Sequence, residues 1–97
     1  MKQNEELTPQ MLQMKEASES LLNLVVKNLC ETPQKAIVSI VVNGTNSCLI
    51  CISVDAKDYG KVIGQKGKIV KAIRTLLQAF AGRYRIRFLF EVSETTQ

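Results

Sequence analysis

The sequence predicts an α+β domain of two layers, three strands with helices covering one face, in the order α-β-β-α-α-β. Three observations carry this expectation. A helix-period apolar run occupies residues 18–30, two β-branched runs flank Asn43-Gly44, and an alternating run occupies residues 84–92. Ninety-seven residues make one domain, since domains typically run to about 100–150 residues. With 45% apolar and 23% charged residues, the composition is globular and excludes a disordered chain.

Residues 1–14 are polar and rich in Gln, Glu and Met. They are expected to form an N-terminal extension outside the core, disordered or prolonging the first helix backward. Thr8-Pro9 offers a cap for that longer helix, and Met11, Leu12 and Met14 would lie along it. The domain proper is expected over residues 15–93. From Ser18 onward Leu21, Leu22, Val25, Val26, Leu29 and Cys30 recur at helical spacing. Glu31-Thr32-Pro33 ends this helix, because the residue before a proline is pushed out of the α region.

Residues 36–42 are rich in β-branched side chains and predict a strand. Asn43-Gly44-Thr45-Asn46 is a hairpin turn, and residues 48–54 return as the antiparallel partner. Asp55 is placed to cap a short helix over Ala56–Ile63, with Asp58 favoring the positive end of its dipole and Gly64 stopping it. A second helix over residues 68–81 carries the apolar stripe Ile69, Ile73, Leu76, Leu77 and Phe80, with Gly82 as its terminal glycine. Tyr84, Ile86, Phe88, Phe90 and Val92 alternate with Arg85, Arg87, Leu89 and Glu91, giving a last strand with one apolar face. Residues 94–97 are a polar tail.

The charge is unevenly placed. Residues 57–87 hold nine Lys/Arg against the single acid Asp58, a local charge of +8, while residues 1–56 hold four Lys/Arg against six acids. Such clustering is the electrostatic footprint of a polyanion partner, although a solvated basic face weighs about equally on charge alone. The N-terminus lacks the basic start and apolar core of a secretory signal, and the longest apolar run, residues 37–42, is strand-sized. The expected compartment is the cytoplasm, with no membrane partner.

An odd cysteine count, Cys30, Cys48 and Cys51, is a poor disulfide framework. Cys48 and Cys51 have the C-x-x-C spacing but lie on a strand, where positions three apart point to opposite faces. They are therefore expected as buried small side chains, with no metal and no cofactor. There is no histidine, no paired-carboxylate segment and no nucleophile beside a base, so neither an enzyme nor a small-molecule substrate is expected.

The informative segment is Gly60-Lys61-Val62-Ile63-Gly64-Gln65-Lys66-Gly67-Lys68-Ile69-Val70-Lys71-Ala72-Ile73. Gly64 and Gly67 permit backbone angles and close approaches that a Cβ would block. The second helix starts at this loop, so its free N–H groups and positive dipole end meet whatever the loop touches. Lys66 and Lys68 flank the opening, with Lys61 and Lys71 about one turn away. Phosphate-loop patterns fail on spacing: both place Val62 where a glycine is required, and Ile69 stands where G-x-x-x-x-G-K-[ST] needs a hydroxyl.

The run from Val62 to Ile73 resembles the KH-domain signature V-I-G-x-x-G-x-x-I-x-x-I, with Val70 replacing the first distal isoleucine. The element order resembles the type II, prokaryotic form of that fold. Asp55-Ala56-Lys57-Asp58-Tyr59-Gly60 and Lys71-Ala72-Ile73-Arg74-Thr75-Leu76-Leu77 extend the likeness to the small stand-alone bacterial KH proteins of the KhpA type, over roughly residues 20–93. The longer N-terminus, and Ala56-Lys57 in place of a proline and an acid, depart from that pattern.

The resemblance implies single-stranded RNA binding, with the loop clamping about four backbone nucleotides. Gly64, Gln65, Lys66 and Gly67 would hold phosphates through backbone N–H groups and Lys66, with Lys61, Lys68, Lys71 and Arg74 as further RNA-binding residues. Ile63 and Val70 would line an aliphatic groove for bases, and the last strand would form its opposite wall, where Arg85 or Arg87 reaches the sugar-phosphate chain. The implied role is that of an RNA chaperone or post-transcriptional regulator, working as a homodimer or with a second RNA-binding protein. Against this, single basic residues of the second helix are equally well explained as a solvated face, and Arg85 and Arg87 as an exposed sheet surface. Two other classes stay open: a KH-fold dimerization or protein-interaction subunit, and a DNA-binding helix-turn-helix. The latter is disfavored because Lys68-Ile69-Val70 turns apolar at once.

Overall fold

The computed structural model describes residues 7–95; the expectations for residues 1–6 and 96–97 lie outside them. Helix α1 (Pro9–Leu29) is followed by a 3₁₀ turn (Pro33–Lys35) and the strands β1 (Ile37–Asn43) and β2 (Ser47–Val54). Helix α2 (Ala56–Ile63), a second 3₁₀ turn (Gln65–Gly67), helix α3 (Lys68–Tyr84) and strand β3 (Arg87–Glu94) complete the described chain. The α-β-β-α-α-β order is the one the sequence predicts.

The hairpin pairs β1 and β2 antiparallel, with Ile40 opposite Ile50, and Gly44 takes a φ of 72° in the turn. Strand β3 lies on the other side of β2 and runs parallel to it, with Ile50 beside Phe90. A parallel pair requires a crossover connection, and α2 and α3 supply it. Central β2 alternates strictly: Cys48, Ile50, Ile52 and Val54 are buried under the helices. Leu22 of α1, Val62 of α2 and Leu77 of α3 close the core above them. The opposite sheet face is open, and a row of Val41, Leu49 and Leu89 crosses all three strands there.

The end of α3 and both ends of β3 differ from expectation, and the N-terminal segment differs in its burial. Of the two readings of the N-terminal segment, the longer helix is the one formed: α1 begins at Pro9, and Thr8 Oγ1 accepts from Met11 N at 3.1 Å. Met11 and Met14 do not lie outside the core: both are fully buried in it. They continue the buried line of Ser18, Leu22 and Val26 down one side of α1.

Helix α3 does not stop at Gly82. Running on to Tyr84 keeps Ala81 buried on the stripe of Ile73 and Leu77. The left-handed residue after the helix is Arg85 (φ 58°), with Arg85 N donating to Gly82 O and Ile86 N donating to Ala81 O. This is the double hydrogen bond of a Schellman ending, made without glycine. Tyr84, Arg85 and Ile86 accordingly leave the last strand, which starts at Arg87. At its far end the strand takes in Glu94, and Thr95 N donates to Val54 O at 2.7 Å, so the polar tail begins later than residue 94.

Candidate nucleic-acid interface

The bend between α2 and α3 is built from positive-φ residues: Gly64 at 79°, Lys66 at 56° and Gly67 at 74°. At Gly64 the glycine is obligatory, since a Cβ there would lie 2.7 Å from Ile69 Cγ1 and 2.9 Å from Ile69 N. Gly67 N donates to Gly64 O at 3.0 Å and closes the turn. No side chain caps α3 at Gly67, and its first turn carries no acid. The positive end of a five-turn helix therefore opens on the bend, beside the exposed Gln65 and Lys66.

The basic residues divide into two groups. Lys66, Lys68 and Lys71 are exposed around the bend, and among the described residues none has a carboxylate within ion-pair distance. Lys61 is different. Its Nζ lies 2.7 Å from Glu31 Oε2 and 3.8 Å from Asp58 Oδ1. The hydrogen bond to Glu31 raises the Lys61 ammonium above its usual range, and the same bond lowers the Glu31 carboxyl.

Asp58 stands in the first turn of α2, as the sequence predicts, but its carboxylate has partners the sequence did not show. It is no cap: Asp55 alone caps α2, accepting from Lys57 N at 3.1 Å. Asp58 is fully buried, and its two oxygens accept from Glu31 N and Thr32 N at 3.0 Å each. Burial alone would raise this carboxyl, but the two backbone N–H groups with Lys61 and Lys57 hold it below the usual range. The carboxylate fastens the end of α1 to α2, one turn and a half before the bend. A sign of this stood in the sequence, because Asp58 precedes Val62 by four and so shares the buried face of α2.

Ile63 and Val70 are half-buried on either side of the bend, as an aliphatic lining requires. One turn beyond Val70, the Arg74 guanidinium lies over the Phe90 ring of β3, 5.8 Å from its centroid. Arg85 and Arg87 are exposed but not gathered here. The 17 residues of α3 put them about 25 Å along the axis from the bend, next to the β-hairpin turn, where Arg87 N donates to Asn46 O.

Cys48 is buried as expected, but Cys51, expected buried as well, is only half-buried, because its position three residues on puts it on the open face. The C-x-x-C pair straddles the sheet, and burial raises both thiols above their ordinary range. Among the described residues no cluster of His, Cys, Asp or Glu is arranged to hold a metal, and no helix is long and apolar enough to cross a membrane.

A family model described as KhpA/KhpB, KH domain, matches residues 19–92. The chain belongs to that family. The matched span includes the bend and both of its glycines, Gly64 and Gly67. "RNA-binding protein KhpA" of Chlamydia pneumoniae is 38% identical over 73 residues, 75% of this chain and 92% of that protein. The protein of the same name from Clostridium acetobutylicum is 39% identical over 72 residues, 74% and 95% of the two chains. That from Borreliella burgdorferi is 35% identical over 72 residues, 74% and 87%. No solved structure gave a significant match. The family match begins at residue 19, so the first ten residues of α1, with Met11 and Met14, precede it.

Proposed function

We propose that this chain binds single-stranded RNA, with the bend at residues 64–67 holding the sugar-phosphate backbone and the groove beside it receiving bases. The observation that carries this is the bend itself: positive-φ backbone at an uncapped helix N-terminus, ringed by three lysines that no acid among the described residues neutralizes. Family membership and relatives that bear the name RNA-binding protein support it. Backbone N–H groups and Lys66 contact phosphate, Lys68 and Lys71 add charge, and Ile63 and Val70 give bases an apolar surface. Lys61 joins only by exchanging Glu31 for phosphate. A strand that reaches Arg85 or Arg87 has to run the length of α3. No catalytic step is assigned, and the protein acts as an RNA chaperone or post-transcriptional regulator in the cytoplasm.

One such groove reads few bases, so the chain works as a homodimer or beside a second RNA-binding protein. DNA readout by α3 is not proposed, because Ile69 and Val70 pack against the core where a recognition helix presents polar side chains.

The test is the double variant Gln65→Asp with Lys66→Asp, titrated with single-stranded RNA over a range of salt. Both residues are exposed, so the fold is expected to survive while affinity falls at least about tenfold. Wild-type binding is expected to weaken with salt at a log–log slope of about −2, from three neutralized phosphates at about −0.7 each. Unchanged affinity in the folded variant, or a flat salt response, overturns the assignment.

A further inference from the structure

The bound strand also needs something to hold its bases, and the chain offers few rings for that. Aromatic residues make up only 5% of the sequence, and Tyr59, Phe80, Tyr84 and Phe88 are all packed against the core. We propose that Arg74 is the base platform of this groove: its guanidinium, backed by Phe90, stacks on one base of the strand rather than gripping phosphate. The proposal rests on the RNA-binding reading and assigns a specific task within it.

Four observations converge on Arg74. It follows Val70 by one turn on the same flank of α3, about 10 Å along the axis from Gly67, within reach of a strand held at the bend. Its guanidinium lies over the Phe90 ring at 5.8 Å. Phe90 is only 7% exposed, so the core fixes the ring over which the guanidinium lies. Arg74 is nonetheless exposed, and among the described residues no acid pairs with it, which leaves its other face free.

A planar guanidinium stacks on bases, as an ammonium does not. Arg83 over Tyr84, at 5.3 Å, makes a similar contact but sits at the opposite end of α3, about 24 Å from Gly67.

The experiment compares the wild-type chain with Arg74→Lys, which keeps the charge and loses the plane. Each is titrated with a short single-stranded RNA and with versions carrying one abasic position at a time. The wild type is expected to lose about fivefold or more at one abasic position, the scale of a single stacked base. Arg74→Lys is expected to lose a similar factor on the intact RNA, to be indifferent to that abasic position, and to keep the wild-type salt slope.

An Arg74→Lys chain that binds intact RNA like the wild type, or that still responds to the same abasic position, overturns the platform while leaving the interface standing. So does a charge-removing Arg74→Gln that shallows the salt slope by about 0.7 with no loss of base sensitivity, the signature of a phosphate contact. A wild-type chain that binds no single-stranded RNA overturns interface and platform together.

Discussion

Lys61 and Lys66 belong to one basic segment but are set in opposite electrostatic circumstances. Lys66 is exposed at the bend with no carboxylate of the described residues within ion-pair distance, whereas Lys61 is engaged by Glu31 at 2.7 Å and by buried Asp58 at 3.8 Å. A phosphate that recruits Lys61 has to displace Glu31, so Glu31 acts as an internal competitor for the site. Replacing it by Gln is expected to raise RNA affinity and to steepen the salt slope by about 0.7, one additional phosphate. A salt titration of Glu31→Gln checks this, and an unchanged slope would mean that Lys61 takes no part. The lysines themselves were legible in the sequence. Their partners were not, because Glu31 comes from the connector after α1 and only folding brings it to α2.

At the scale of elements, α1 is where sequence reasoning fell shortest. Met11, Met14, Ser18, Leu22 and Val26 form one buried line at spacings of three and four. The polar Ser18 in that line and the polar residues around the methionines disguised its first half. Met14→Ala is expected to destabilize the fold by about 2–5 kcal/mol, the range for truncating a fully buried large side chain. Leu12→Ala, at a side chain 42% exposed on the other side of the same helix, is expected to change stability by about 0.5 kcal/mol or less. Urea denaturation of both variants checks the pair, and equal effects would mean that these turns do not belong to the core. The end of α3 teaches a related lesson. Gly82 is the natural stop by local preference, yet burial of Ala81 and Ile86 carries the helix past it and puts Arg85 in the left-handed position instead.

For the molecule as a whole, Asp58 links the end of α1 to the helix that delivers the bend, and this link gives stability a pH dependence. The native Asp58 carboxyl lies below its ordinary value, so the unfolded chain binds its proton more readily. The stability it contributes is complete above the unfolded value of about 3.9 and is lost as pH falls through the lower native one. Glu31, also lowered, adds to the same acid limb. Urea denaturation between pH 2 and 7 is expected to show that limb in the wild type. Asp58→Asn is expected to be less stable at pH 7 and to have a shallower limb. A variant with the wild-type acid limb would show that Asp58 is not what titrates.

By itself the sequence determined the order of the elements, the Asn-Gly hairpin, the glycine bend with its resemblance to a KH loop, and the concentration of positive charge around that bend. All of these are written in neighboring residues: period, turn chemistry and local composition. Tertiary structure alone decided that β3 runs parallel beside β2, that Asp58 accepts from the amides of Glu31 and Thr32, that Lys61 is already paired, and that Arg74 lies over Phe90. Each of these depends on groups far apart in the chain whose meeting is set by how the layers pack, and no local pattern encodes such a meeting.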